Sequence, residues 1–107
     1  MAIGLEHEDL YLTAEIYRLK GELLMQRDDS SCAEAAACFQ SGIEIARDQS
    51  AKSAELRATT SLARLLAKQG RRDEARTMLA DIYNWFTEGF DTADLIDAKA
   101  LLDELSA

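Results

Sequence analysis

Apolar side chains recur every three or four residues along nearly the whole of this chain, which is the spacing of one face of an α-helix. Proline is absent and only five glycines occur in 107 residues, so little in the sequence interrupts helical structure. In the first periodic stretch, residues 8–27, the apolar face consists of Leu12, Ile16, Leu19 and Leu23, with Tyr17, Gly21 and Leu24 beside them. The pattern predicts an all-α fold.

Turn residues divide the chain into five predicted helices. Ser31 and Glu34 form a predicted capping box at the start of the second helix. Gly70 is the predicted C-terminal stop of the third helix, and Asp91 or Thr92 is the predicted cap of the fifth. The predicted helices span residues 8–27, about 31–48, about 51–69, 72–86 and 92–105.

The periodicity also predicts which residues of the later helices face the core. They are Ala35, Phe39, Gly42 or Ile43, and Ala46 in the second helix; Leu56, Thr59, Leu62, Ala63 and Leu66 in the third; and Leu95, Ala98, Leu101, Leu102 and Leu105 in the fifth. Three aromatic residues near the last turn, Trp85, Phe86 and Phe90, are expected to wedge the fifth helix onto the others.

The chain contains an internal repeat. At an offset of forty residues, the order Ala35, Phe39, Gly42 recurs as Ala75, Leu79, Ile82. At an offset of forty-two residues, Gly21 and Leu24 recur as Ala63 and Leu66. Two helix-turn-helix units therefore follow one another, and the turn of the first is two residues longer than that of the second.

This order of small and apolar residues resembles the tetratricopeptide repeat. The resemblance implies a single domain over residues 1–107, a right-handed α-solenoid fragment made of two helical hairpins and a C-terminal capping helix. Repeat one would span about 8–48, repeat two about 51–86, and the capping helix about 92–105. A four-helix bundle with accidental self-similarity is the alternative fold.

Four stretches of the chain carry a more specific resemblance. They are residues 82–95 (IYNWFTEGFDTADL), 98–105 (AKALLDEL), 15–24 (EIYRLKGELL) and 51–58 (AKSAELRA). They resemble the C-terminal tetratricopeptide tail of large bacterial multidomain ATPases that carry an adenylate/guanylate cyclase or a DNA-binding domain. Because the chain has no Gly-rich phosphate-binding loop, the resemblance implies a tail piece without the catalytic parts.

Composition excludes several functions. The formal net charge of −8 disfavours nucleic acid and anionic membranes as partners, because both are bound through an excess of Lys and Arg. Apolar runs are short, so neither a transmembrane span nor a signal peptide is expected, and the protein is expected to be cytoplasmic. Cys32 and Cys38 are turned away from each other on a helix, and His7 is the single histidine, so no metal or other cofactor is expected.

Catalysis is not expected either. The paired carboxylates of Asp28 and Asp29, and of Asp73 and Glu74, stand at predicted helix starts, where the helix dipole explains them. The serines have no local histidine or motif that would activate a nucleophile. The chain is therefore predicted to be a protein-interaction module, regulatory within or beside a nucleotide-signalling ATPase or cyclase. The alternative is a structural cap of a superhelical array with no ligand of its own.

The candidate binding surface is the inner face of the third helix, because the first helix of each tetratricopeptide hairpin lines the concave groove. The predicted groove residues are Arg18, Glu22, Arg57, Thr60, Arg64 and Lys68. Their arginines and lysine form a basic stripe suited to an acidic peptide or a C-terminal carboxylate. The alternative is a solvated face neutralised by Glu15 and Glu22.

A homodimer is also predicted. If a preceding repeat is missing, the first helix exposes the apolar surface meant for that repeat. The exposed strip is expected around Leu10, Tyr11 or Tyr17.

Overall fold

The computed structural model describes residues 6–27, 32–48, 50–86 and 92–106, and all regular secondary structure in these ranges is α-helical. The helices are α1 (Glu6–Arg27), α2 (Cys32–Asp48), α3 (Lys52–Lys68), α4 (Arg72–Tyr83) and α5 (Ala93–Ser106). The predicted all-α fold is confirmed. The predicted caps at Ser31 and Asp91 lie outside the described residues.

The ends of α3 and α4 show how local hydrogen bonds set helix length. Gly70 has a φ of 83°, and the N–H of Arg71 donates to the Leu66 carbonyl at 2.9 Å, which closes α3 as predicted. Helix α4 ends three residues before the predicted Phe86. The N–H groups of Trp85 and Phe86 donate to carbonyls only three residues back, so the chain tightens out of the α-helix there.

Successive helices run in opposite directions. Gly21, late in α1, lies against Phe39 early in α2, whereas Gly42, late in α2, lies against Ala14 early in α1. The same reversal holds for the last pair, because Arg72 at the start of α4 donates to the Glu104 carbonyl near the end of α5 at 2.7 Å. As a consequence α1, α3 and α5 run parallel to one another.

Helix α3 is the centre of the molecule, because it packs against each of the other four helices. Its predicted core face is buried, as are the predicted core faces of α2 and α5, except that Leu102 is only half-buried. The buried carboxylate of Glu55 accepts hydrogen bonds from Arg47 at 2.9 Å and Lys52 at 3.3 Å. This buried carboxylate fastens the α2–α3 turn.

The predicted core face of α1 is wrong for three of its four residues, and the side chain of the fourth, Leu12, lies outside the described residues. Ile16, Leu19 and Leu23 are exposed, and α1 instead packs against α2 through Ala14, Gly21 and Leu24. The reason is steric: a Cβ atom on Gly21 would lie 2.5 Å from the Phe39 ring, so only glycine lets the two helices come this close.

The predicted aromatic wedge is also wrong for Trp85, which is exposed; the Lys52 ammonium lies 5.3 Å from the centre of its ring. Phe86 is half-buried against the core and meets the Trp85 ring edge-on. Phe90 lies outside the described residues.

Candidate functional site

A polar concavity of about 190 Å³ lies on the side of the molecule where α1, α3 and α5 run parallel. It is lined by Arg18 from α1, by Arg57, Thr60, Ser61 and Arg64 from α3, and by Asp94 and Asp97 from α5. We call this concavity the groove. The α3 residues reach it together because their spacings of three, four and seven place them on one side of a helix.

Two hydroxyl groups in the groove are held by bonds within the protein. The Thr60 hydroxyl donates to the Leu56 carbonyl at 2.8 Å, one turn earlier in α3. The Ser61 hydroxyl donates to the Glu22 carboxylate at 2.6 Å, which ties α3 to α1. Both residues are almost fully buried, so they form the floor of the groove.

Arg57 joins three helices. Its Nε donates to Oε2 of Glu15 on α1 at 2.9 Å, and its Nη1 donates to Oδ2 of Asp94 on α5 at 3.0 Å. The Arg57 side chain is only 24% exposed, so both ion pairs are partly shielded from water. The Arg57 guanidinium thus connects α1 and α5 across the groove.

Glu15 accepts from two arginines. In addition to Arg57, Nη2 of Arg18 donates to Oε1 of Glu15 at 3.0 Å. Burial raises the pKa of the Glu15 carboxyl, but the hydrogen bonds and charges of Arg18 and Arg57 outweigh burial and lower that pKa below its ordinary value. The carboxylate is therefore charged in the folded protein at neutral pH.

The predicted groove residues divide into two groups. Arg18, Arg57, Thr60 and Arg64 line the groove together, whereas Glu22 lies beside it behind Ser61, and Lys68 is exposed in the last turn of α3 outside the lining. Arg18 and Arg57 both donate hydrogen bonds to Glu15. The charges of these two arginines are therefore neutralised within the protein, as in the alternative interpretation of the sequence.

Arg64 differs from the other two arginines. Its side chain is exposed, and it makes no hydrogen bond or ion pair with any residue that the structure describes. Three arginines therefore share the lining with two aspartates, and among the three arginines only Arg64 has no charged partner in the described part of the chain. A guanidinium in this state offers a planar, two-pronged donor to a carboxylate.

Sequence reasoning missed Asp94 and Asp97 as groove residues. They are three residues apart on α5, and the predicted groove does not include them. Their place could have been inferred from the repeat. In a stack of helical hairpins, α5 takes the position of the next first helix, so its start lies beside α3. Their carboxylates make the groove mixed in charge rather than basic.

The described ranges contain no metal-ion cluster and no membrane-spanning helix. There, no cluster of three or more His, Cys, Asp or Glu side chains has a geometry that would hold a metal ion. Both Cys32 and Cys38 are free thiols. None of the described helices combines the length and the apolar character that crossing a membrane requires.

No protein-family model, curated protein or solved structure matches this chain. The tetratricopeptide resemblance therefore stays a prediction.

Proposed function

We propose that this chain is a protein-interaction module of the tetratricopeptide type, which binds an acidic peptide segment along the groove between α1, α3 and α5. The observation that carries the proposal is the exposed Arg64 guanidinium, which lies in a concavity formed by three parallel helices and has no partner in the described part of the chain. In this proposal Arg64 binds a carboxylate of the partner.

The size and polarity of the groove favour a peptide over a small molecule. Pockets for small molecules and cofactors are mostly apolar and have volumes of roughly 300–1,000 Å³. This groove is smaller, at about 190 Å³, and its lining is largely charged. It has room for one carboxylate side chain or a chain terminus, while the rest of a peptide lies along the helices.

The proposal includes no catalytic step. The hydroxyls of Thr60 and Ser61 are the candidate nucleophiles of the lining, and both already donate hydrogen bonds within the protein, to a carbonyl and to Glu22. The lining residues include no histidine to serve as a base. We therefore propose binding alone, without a cofactor.

A second candidate function is a structural cap that closes a superhelical array and binds nothing. The observation that favours it is Arg57, whose ion pairs to Glu15 and Asp94 use charge for holding helices together. Under this alternative Arg64 is an ordinary solvated surface charge.

We also propose that the module is the regulatory C-terminal part of a bacterial nucleotide-signalling ATPase or cyclase-type protein, acting in the cytoplasm. Support comes only from the resemblance of residues 82–105 and 15–24 to such tails. Mapping the transcript tests this: we expect the reading frame to encode ATPase motifs upstream, and a frame without them would contradict the assignment.

The binding proposal is tested by fluorescence polarisation with a labelled peptide of about eight residues that ends in glutamates and a free carboxylate. An amidated glutamine version of the peptide is the ligand control. We expect the acidic peptide to bind more tightly. The substitution Arg64→Ala should weaken its binding by about tenfold to a hundredfold, because a charge-assisted hydrogen bond contributes roughly 1.5–3 kcal/mol.

Arg76→Ala is the matched protein control. Arg76 is an exposed arginine on α4, away from the groove, and its loss changes the net charge by the same amount. We expect it to leave affinity unchanged at moderate salt. Equal effects of the two substitutions, or no binding by the parent chain at millimolar peptide, would reject the groove as a binding site and favour the structural cap.

A further inference from the structure

An exposed apolar strip runs along α1 on the side away from α2. It differs from the strip predicted from the sequence: Tyr17 is half-buried against the core, and the side chains of Leu10 and Tyr11 lie outside the described residues. The strip consists of Ile16, Leu19 and Leu23, which are 62%, 51% and 62% exposed. Their spacings of three and four residues place them in one line on the helix. Three large apolar side chains in a line are more than the scattered single residues usual on a monomer surface, so the strip is a candidate interface.

The repeat shows what this side of such a helix does when it has a neighbour. At the offset of forty-two residues, the positions in α3 are Ala58, Ser61 and Leu65, and all three are buried. Ala58 lies close to Gly42 of α2, and Ser61 bonds to α1, so this side of α3 packs on the preceding hairpin. The strip on α1 is the same surface without its cover.

The charges that flank the strip indicate what covers it. Lys20 and Arg27 lie along one edge and are exposed, whereas Glu15 and Glu22 lie along the other edge. When two parallel helices pack through an apolar seam, a residue at one edge of the seam pairs with the residue five positions later at the opposite edge of the other helix. This rule matches Glu22 with Arg27 of a second copy. It also sets Glu15 opposite Lys20, but both Glu15 oxygens already accept hydrogen bonds from Arg18 and Arg57, so the Glu22–Arg27 pair is the one that favours this arrangement.

An antiparallel pair would instead set glutamate against glutamate and Lys20 or Arg27 against a like charge, which is unfavourable. Glu22 is also available for such a pair. Its side chain is 31% exposed, and both Ser61 and Arg18 approach its Oε2, so within the described residues Oε1 is left for a partner.

We propose that two copies of this chain associate through the strip Ile16–Leu19–Leu23, with their α1 helices parallel and related by a two-fold axis. This inference does not depend on peptide binding in the groove, although Glu15 and Glu22, at one edge of the strip, also hold the groove residues Arg18, Arg57 and Ser61. Because the strip is short, the dimer is weak and forms in the range of about 10–500 µM, below the stability of a standard-sized interface.

Sedimentation velocity from about 10 µM to about 1 mM tests the association. We expect the average mass to rise from that of one chain toward that of two. The double substitution Leu19→Gln and Leu23→Gln should hold the chain monomeric over the whole range, with its helical circular dichroism unchanged because both side chains are exposed. Ile96→Gln, at an exposed aliphatic residue of α5, is the control and should not change association.

Cysteine crosslinking tests the direction of the pair. In a chain with Cys32→Ser and Cys38→Ala, a Leu23→Cys thiol should form a disulfide with its own copy, because equivalent positions meet on the axis of a parallel pair. A parent chain that stays monomeric at about 1 mM would overturn the proposal. The strip would then be covered by a helical hairpin other than a second copy of α1. Crosslinking only between Ile16→Cys and Leu23→Cys chains would overturn the parallel arrangement.

Discussion

At the scale of single residues, the groove depends on one carboxylate. Glu15 receives hydrogen bonds from Arg18 and Arg57, and Arg57 in turn reaches Asp94. The Glu15 side chain is 20% exposed, so removing its charge takes an acidic partner from each arginine in a partly dry site, leaving Asp94 for Arg57 and Glu22 for Arg18. Residues far apart in the sequence therefore share a single electrostatic unit.

The lowered pKa of Glu15 predicts an acid dependence of stability. A carboxyl whose pKa is lower in the folded state than in the unfolded state stabilises the fold above its unfolded-state pKa. That contribution is lost as pH falls through the folded-state pKa. We expect Glu15→Gln to lower the free energy of unfolding at pH 7 by about 1–2 kcal/mol.

Urea unfolding at several pH values between about pH 7 and about pH 3 measures this effect. The gap between the parent chain and Glu15→Gln should close toward low pH, because the parent's carboxyl becomes protonated. A gap that stays constant with pH would show that Glu15 stabilises the fold by packing rather than by charge.

At the scale of helices, each hairpin fits a small residue against a larger one. In the first hairpin Gly21 lies against the fully buried Phe39. The equivalent residues of the second hairpin are Ala63 and Leu79, which are also fully buried. The second hairpin therefore has a larger residue on its first helix, Ala63 in place of Gly21, and a smaller one on its second helix, Leu79 in place of Phe39. The packed volume stays similar.

This size match predicts coupling between the two positions. Gly21→Ala alone should destabilise the fold by about 1–2 kcal/mol, because overpacking against the Phe39 ring outweighs the gain in helix propensity. In a Phe39→Leu background the same change should be neutral or stabilising, a coupling of at least about 1 kcal/mol in chemical denaturation.

Leu79→Val provides the control background for this double-mutant cycle. Leu79 is equally buried but belongs to the second hairpin, so the cost of Gly21→Ala should add to that of Leu79→Val without coupling. Additive costs in the Phe39→Leu background would contradict the size match.

The helices and most of their buried faces could be predicted from the sequence, because α2, α3 and α5 each carry one dominant apolar face. Helix α1 carries two. Periodicity alone does not say whether the face of Ile16 and Leu19 or the face of Gly21 and Leu24 packs inward. The close approach of Phe39 to Gly21 decides this, and it is a contact between helices.

The candidate site was predictable to the same degree. Seven-residue spacing places Arg57 and Arg64 on one side of α3, and both line the groove. The partners of Arg57 are 42 and 37 residues away in sequence, so no local spacing indicates that it is neutralised and that Arg64 is not.

At the scale of the whole molecule, the alternating helix directions bring the polar sides of α1, α3 and α5 together around the groove. Helix α3 is held by every other helix, and Arg57 spans the groove from α1 to α5. A site built on packed helices keeps its shape before a partner arrives, which lowers the entropic cost of binding. We therefore expect a partner to bind on this side of the molecule.

The most direct measurement of that claim is a proton–nitrogen correlation NMR titration of the parent chain with the acidic peptide. We expect the Arg64 side-chain N–H signal and the backbone signals of the groove residues on α1, α3 and α5 to shift together and saturate. Signals from the outward side of α4, around Arg76, should stay in place. Saturable shifts confined to α2 and α4, or no shifts at millimolar peptide, would contradict the claim.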